Sequence, residues 1–111
     1  MSGREVLLRA AALIERGGWI QGSFARDRDG QPCLPESEFA AQWCIAGALR
    51  AVAQDDCDAK RQAQLGLLHH IQQTLHEHDS VTRWNDAPYR TQAEAVAALR
   101  AAAEAAKEAR A

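Results

Sequence analysis

The segment Phe39–Ala53, "FAAQWCIAGALRAVA", constrains the fold more than any other part of the chain. Its only strongly polar residues are Gln42 and Arg50. A helix that is apolar nearly all round must be surrounded by protein. The pattern therefore predicts a central helix starting near Pro35 or Ser37 and running to Ala53, with Glu36 and Glu38 placed to favour its positive end. Gly47 in the middle costs about 1 kcal/mol relative to alanine. That cost has a cause if another backbone passes close by.

Other helices assemble around it. Ser2 and Glu5 form a Ser-x-x-Glu capping box, Leu7, Ala10, Ala11 and Ile14 recur at helical spacing, and Gly17-Gly18 ends the run, giving a first helix over about 3–16. After the central helix, Asp55, Asp56 and Asp58 are N-cap candidates for a third helix reaching about His78, with a stripe of Gln64, Leu67, Leu68, Ile71 and Leu75. Thr91 and Glu94 form a second capping box, and the helix behind it carries Val96, Leu99, Ala103 and Ala106 on one face. Between Trp19 and Leu34 the helical period is lost. Asp29-Gly30 marks a turn, and Phe24–Asp27 against Gln31–Leu34 fits a small hairpin that Pro32 confines to an edge. The expectation is an all-α, four-helix bundle-like domain with an irregular loop or short β-hairpin after helix one. No linker divides the 111 residues, so they form a single domain, weakly anchored over about 103–111, where alanine and charge dominate.

Composition narrows the function classes. A formal net charge of −2 gives no pull toward nucleic acid or an anionic membrane. No apolar run approaches the roughly 20 residues that span a bilayer. Three cysteines, Cys33, Cys44 and Cys57, with an amphipathic N-terminus in place of an export signal, point to reduced thiols in a cytoplasm.

Catalytic and metal motifs are not legible. His69, His70, His76 and His78 crowd one predicted helix, but no two of them stand at i, i+3 or i, i+4. His69 and His76 share a face yet lie roughly 10 Å apart along the axis. No Cys-x-x-Cys pair exists, and Cys44 in an apolar segment reads as an inert core thiol. "DRDG" lacks the later acidic positions of a calcium loop. No cofactor and no metal is indicated.

What remains is a pair of tryptophan loops, "GGWIQGSFARD" and "RWNDAPYRT". In an up-down arrangement they lie at one end, where Trp19 and Trp84 could pack over Phe39 and Trp43. Two roles fit Trp19, Gln21, Trp84, Asn85 and Asp86. The preferred one is a structural brace, with Asn85 and Asp86 satisfying loop amides through Asx-turn bonds and Asp86 accepting a backbone N–H from its own loop or from the residues around Gln21-Gly22. The alternative is a ligand site in a Trp-lined polar corner. For the whole chain, the first expectation is a non-enzymatic module that binds an unknown protein partner; a small-molecule binder or small enzyme is the second. The alanine-rich face of the last helix implies either a frayed C-terminus in a monomer or, by preference, a homodimer packing that face.

These motifs carry a resemblance. Trp19, Gln21 and Gly22 (Trp-x-Gln-Gly), Trp43, Cys44, Gly47, Ala48 and Leu49 (Trp-Cys-x-x-Gly-Ala-Leu), then Trp84, Asn85 and Asp86 resemble the ordered signature of a family of short bacterial and phage proteins. That family is catalogued as a domain of unknown function. The resemblance runs from Leu7 to about Ala102. It implies a small helical cytoplasmic protein whose motif residues cluster, and it brings no activity.

Overall fold

The computed structural model describes residues 1–73 and 80–110, with side chains as far as residue 106. The fold is mainly helical. Its elements are α1 (Gly3–Gly17), β1 (Ala25–Arg26), β2 (Gln42–Trp43), α2 (Ile45–Ala53), α3 (Cys57–Gln73), α4 (Val81–Asn85) and α5 (Gln92–Arg110).

Local chemistry sets most of the helix starts. The Ser2 hydroxyl accepts from Glu5 N at 3.1 Å, as its capping box requires. Asp56 Oδ1 accepts from Ala59 N at 3.1 Å and starts α3. Thr91 and Glu94 cap α5 reciprocally, Glu94 N donating to Thr91 Oγ1 at 3.2 Å and Thr91 N to Glu94 Oε1 at 3.0 Å. The expected end of the third helix, with Leu75, His76 and His78, lies outside the described residues.

The central helix departs from expectation at its start. α2 begins at Ile45, some ten residues late, with Cys44 as N-cap. Backbone donors just before it are already taken: Ala41 N donates to Arg26 O (2.8 Å), Trp43 N to Gly18 O (3.1 Å) and Cys44 N to Phe24 O (3.2 Å). The apolar residues of 39–44 thus serve β2 and its approach. β2 pairs antiparallel with β1 in the register Ala25↔Trp43 and Arg26↔Gln42. The pairing expected with 31–34 survives as one bridge, Arg26 to Pro32, beside the Asp27–Gly30 turn.

Gly47 does meet a backbone. A Cβ there would fall within the van der Waals radius of the Phe24 carbonyl, so the backbone just before β1 lies directly on α2. Ile45, Ala48 and Leu49 are fully buried.

The element at the centre is α1. It packs on α2, α3 and α5, burying Val6, Leu7, Ala10, Ala11 and Ile14. Its most extensive contact is with α5, whose Ala95, Val96, Ala98, Leu99, Ala102 and Ala103 are all buried within the one chain. The alanine face expected to stand open for a second copy is internal. Alanine gives little area per residue but lets two helices approach closely, and α1 meets it with Ala10 and Ala11. A fifth helix, α4, stands where a loop was expected; Ser80 Oγ caps it by accepting from Arg83 N at 3.2 Å. No described helix is long and apolar enough to cross a membrane.

Candidate functional site: the asparagine-centred corner

Asn85 ends α4 with no exposed surface. An amide side chain has two acceptor lone pairs and two N–H donors. All four are used. Oδ1 accepts from Trp19 Nε1 at 2.7 Å and from Ile45 N at 3.0 Å. Nδ2 donates to Ile20 O at 3.1 Å and to Asp86 Oδ1 at 2.9 Å. One side chain therefore joins the loop after α1, the first turn of α2 and the end of α4.

One of these bonds helps to solve a helix-end problem. The first amides of a helix have no partner inside it. Ile45 N finds Asn85, and Gly47 N finds Cys44 Sγ at 3.3 Å. The cap of α2 is thus shared between its own N-cap residue and one forty positions away. Burial, foremost, pushes the Cys44 thiol above its ordinary value; N–H groups of Gly47 and Ala46 oppose the rise, and the nearby Asp86 charge adds to it. Such a thiol stays protonated at neutral pH and suits a capping acceptor better than a nucleophile.

The neighbouring residues repeat the pattern. Gln21 Nε2 donates to Asn85 O (2.9 Å) and Ala87 O (2.8 Å). Asp86 Oδ1 also accepts from Gly22 N at 3.1 Å, and Gly22 holds φ +82, where a side chain would be strained. Trp19, Gln21, Asn85 and Asp86 therefore form one network, as the sequence anticipated. Asp86 takes its backbone donor from Gly22, across the two loops, and Asn85 likewise bonds across loops and not through a local Asx turn.

Trp84 stands apart. It is buried, but it faces a cleft lined by His70, Arg90 and Glu94. The Arg90 guanidinium lies 3.8 Å from its ring centroid, and Arg90 Nε donates to Trp84 O at 2.8 Å. The expected cluster with Phe39 and Trp43 does not form: Phe39 is 69% exposed and Trp43 Nε1 donates to Pro35 O at 3.1 Å. Arg90 carried no signal in the sequence, because its role depends on the chain reversing between α4 and α5.

Beside the network lies a cleft of about 230 Å³ lined by Gly22, Ser23, Phe24, Cys44, Thr82 and Asp86. Of the four histidines, His70 is buried on α3, and burial, followed by the neighbouring His69, lowers its pKa.

A small helical protein whose invading loop is pinned by one buried asparagine is the class these features define. The chain belongs to a family of unknown function, DUF6197, whose model matches residues 1–105. No curated protein and no solved structure matches it.

Proposed function

We propose that the protein is a non-enzymatic protein-interaction module and that the Trp-Asn-Asp corner is its brace. The supporting observation is the complete internal use of Asn85, together with both contacts made by the Gln21 amide. The Asn85 amide has no bonding capacity left for a substrate, and the Gln21 amide has no N–H donor left.

The braced loop supplies the interaction surface. Phe24, Leu34 and Phe39, on the segment between α1 and α2, are 53%, 62% and 69% exposed. Large apolar side chains held outward on a pinned loop lose little entropy on binding. A cytoplasmic setting belongs to the same proposal, since Cys33, Cys44 and Cys57 are free thiols. Self-association through the Ala95, Leu99 and Ala103 face of α5 does not, because those residues are internal.

The test is capture from native lysate by wild type and by a Leu34→Ser/Phe39→Ser variant of unchanged melting temperature. The proposal expects specific partners to be lost with the variant. Identical capture by both proteins would refute it.

A ligand role for Trp19, Gln21 and Asn85 loses support from the same bonds. Asp86 differs from them in carrying a charge and keeping one carboxylate oxygen without a hydrogen bond among the described residues.

A further inference from the structure

Asp86 is exposed, and both hydrogen bonds it accepts fall on Oδ1. Among the described residues, Oδ2 accepts none and no Lys or Arg pairs with the carboxylate. The group is nonetheless fixed, because Gly22 N and Asn85 Nδ2 hold it from two sides.

The opposite wall is equally fixed. Phe24 O receives Cys44 N at 3.2 Å and lies against Gly47, so the Phe24 backbone cannot shift without disturbing α2. Phe24, half-exposed, lines the cleft with Ser23, Thr82 and Cys44, and Ser23 Oγ already receives Arg26 Nε at 3.4 Å. Three of the residues along this largely apolar cleft carry side-chain oxygens, one of them charged, beside an aromatic residue. Its volume of about 230 Å³ is that of roughly eight waters at about 30 Å³ each.

We propose that this cleft binds a primary ammonium group on a short apolar stem. Its three N–H donors suit the carboxylate first, with the Thr82 hydroxyl and the remaining lone pair of Ser23 Oγ as further acceptors, and the charge is favoured both by Asp86 and by the Phe24 ring. One carboxylate is too few for a divalent cation, which calls for several oxygen ligands. A neutral ligand would leave the fixed charge unpaired. The site is independent of the apolar interaction surface, apart from the shared Phe24.

The test is an amide-NMR titration of the full chain with n-butylammonium chloride, at ionic strength held constant with KCl. n-Butanol serves as the uncharged control, and Asp86→Asn as the variant. Asparagine keeps an oxygen for Gly22 N and Asn85 Nδ2, so the brace survives while the charge is removed.

The expected result is saturable shifts at Gly22, Ser23, Phe24 and Thr82, with affinity roughly tenfold weaker for butanol and for Asp86→Asn, as loss of one charged hydrogen bond implies. Absence of saturable shifts in wild type overturns the proposal, as does equal binding of butanol. The butanol comparison needs no variant, so the proposal stays exposed to refutation even if Asp86→Asn folds poorly. A lysine-containing tripeptide with blocked ends separates the sources of the cation. Tighter binding than butylammonium assigns the site to a partner's side chain, and weaker binding to a free amine; both retain the ammonium chemistry.

Discussion

Removing the Asn85 side chain should be among the most damaging single changes this protein can suffer. Asn85→Ala deletes four hydrogen bonds and leaves their partners behind. Trp19 Nε1 and Ile20 O are only part-buried and can turn to water, each losing about 1 kcal/mol. Ile45 N is buried at the start of α2, and an unsatisfied buried donor costs about 1–3 kcal/mol. With the space vacated, the total is about 3–5 kcal/mol, a large part of the roughly 5–15 kcal/mol that holds a domain folded. Urea unfolding followed by circular dichroism measures it directly. Asn85→Asp separates bonding from shape. It keeps the acceptors for Trp19 and Ile45 but turns an oxygen toward Ile20 O and Asp86 Oδ1. Its cost should be severe at neutral pH and should ease as the pH falls, since protonation restores a donor. Trp19→Phe removes one donor while Ile45 still occupies Oδ1, so about 1 kcal/mol is expected. An Asn85→Ala loss below about 1 kcal/mol, or an Asn85→Asp variant as stable as wild type at neutral pH, would refute this reasoning.

Two further perturbations probe the surrounding fold. Gly47→Ala should destabilise by about 2–3 kcal/mol in the same urea assay, because overpacking against the Phe24 carbonyl outweighs the gain in helix propensity of about 1 kcal/mol. His70, held below its ordinary value of 6.5 by burial first and by His69 second, makes stability depend on pH. In the window between its folded-state value and 6.5 the unfolded chain binds more protons. Its contribution is therefore complete above about pH 6.5 and is lost as the pH falls from there toward the lower folded-state value. His70→Gln should flatten that part of the stability profile; an unchanged slope would assign it to other groups.

What the sequence revealed was what short-range chemistry decides. The Ser2–Glu5 and Thr91–Glu94 boxes placed the starts of α1 and α5, and Gly47 announced the backbone it meets. The start of α2 was misplaced because apolar residues look alike in a buried helix and in a short strand. Nothing local in 39–44 says that the amides of Ala41, Trp43 and Cys44 will be taken by Arg26, Gly18 and Phe24. α4 spans five residues, too few for a helical period to show. The alanine face of α5 was read as open because burial of alanine depends on the partner helix, and α1 lies some ninety residues earlier. At the site, the cluster of Trp19, Gln21, Asn85 and Asp86 was legible as unusual residues in two loops. The Asn85–Ile45 bond was not, since no spacing rule connects a side chain to an amide forty residues away. The burial of Trp84 follows from the same placement of two loops at one end, but its stacking with Arg90 does not, since that depends on the turn between α4 and α5.

The central claim is that Asn85 holds the Trp19 loop and caps α2 as one unit, and native-state hydrogen exchange read by NMR tests it most directly. The two protons to follow are the Trp19 indole Nε1–H and the Ile45 amide, which share the Asn85 Oδ1 acceptor. If the corner is a brace, both exchange only through an opening that approaches global unfolding, and both lose protection together in Asn85→Ala. An indole proton that exchanges freely while Ile45 stays protected would contradict the claim, because the loop would then move independently of the helix it is said to secure.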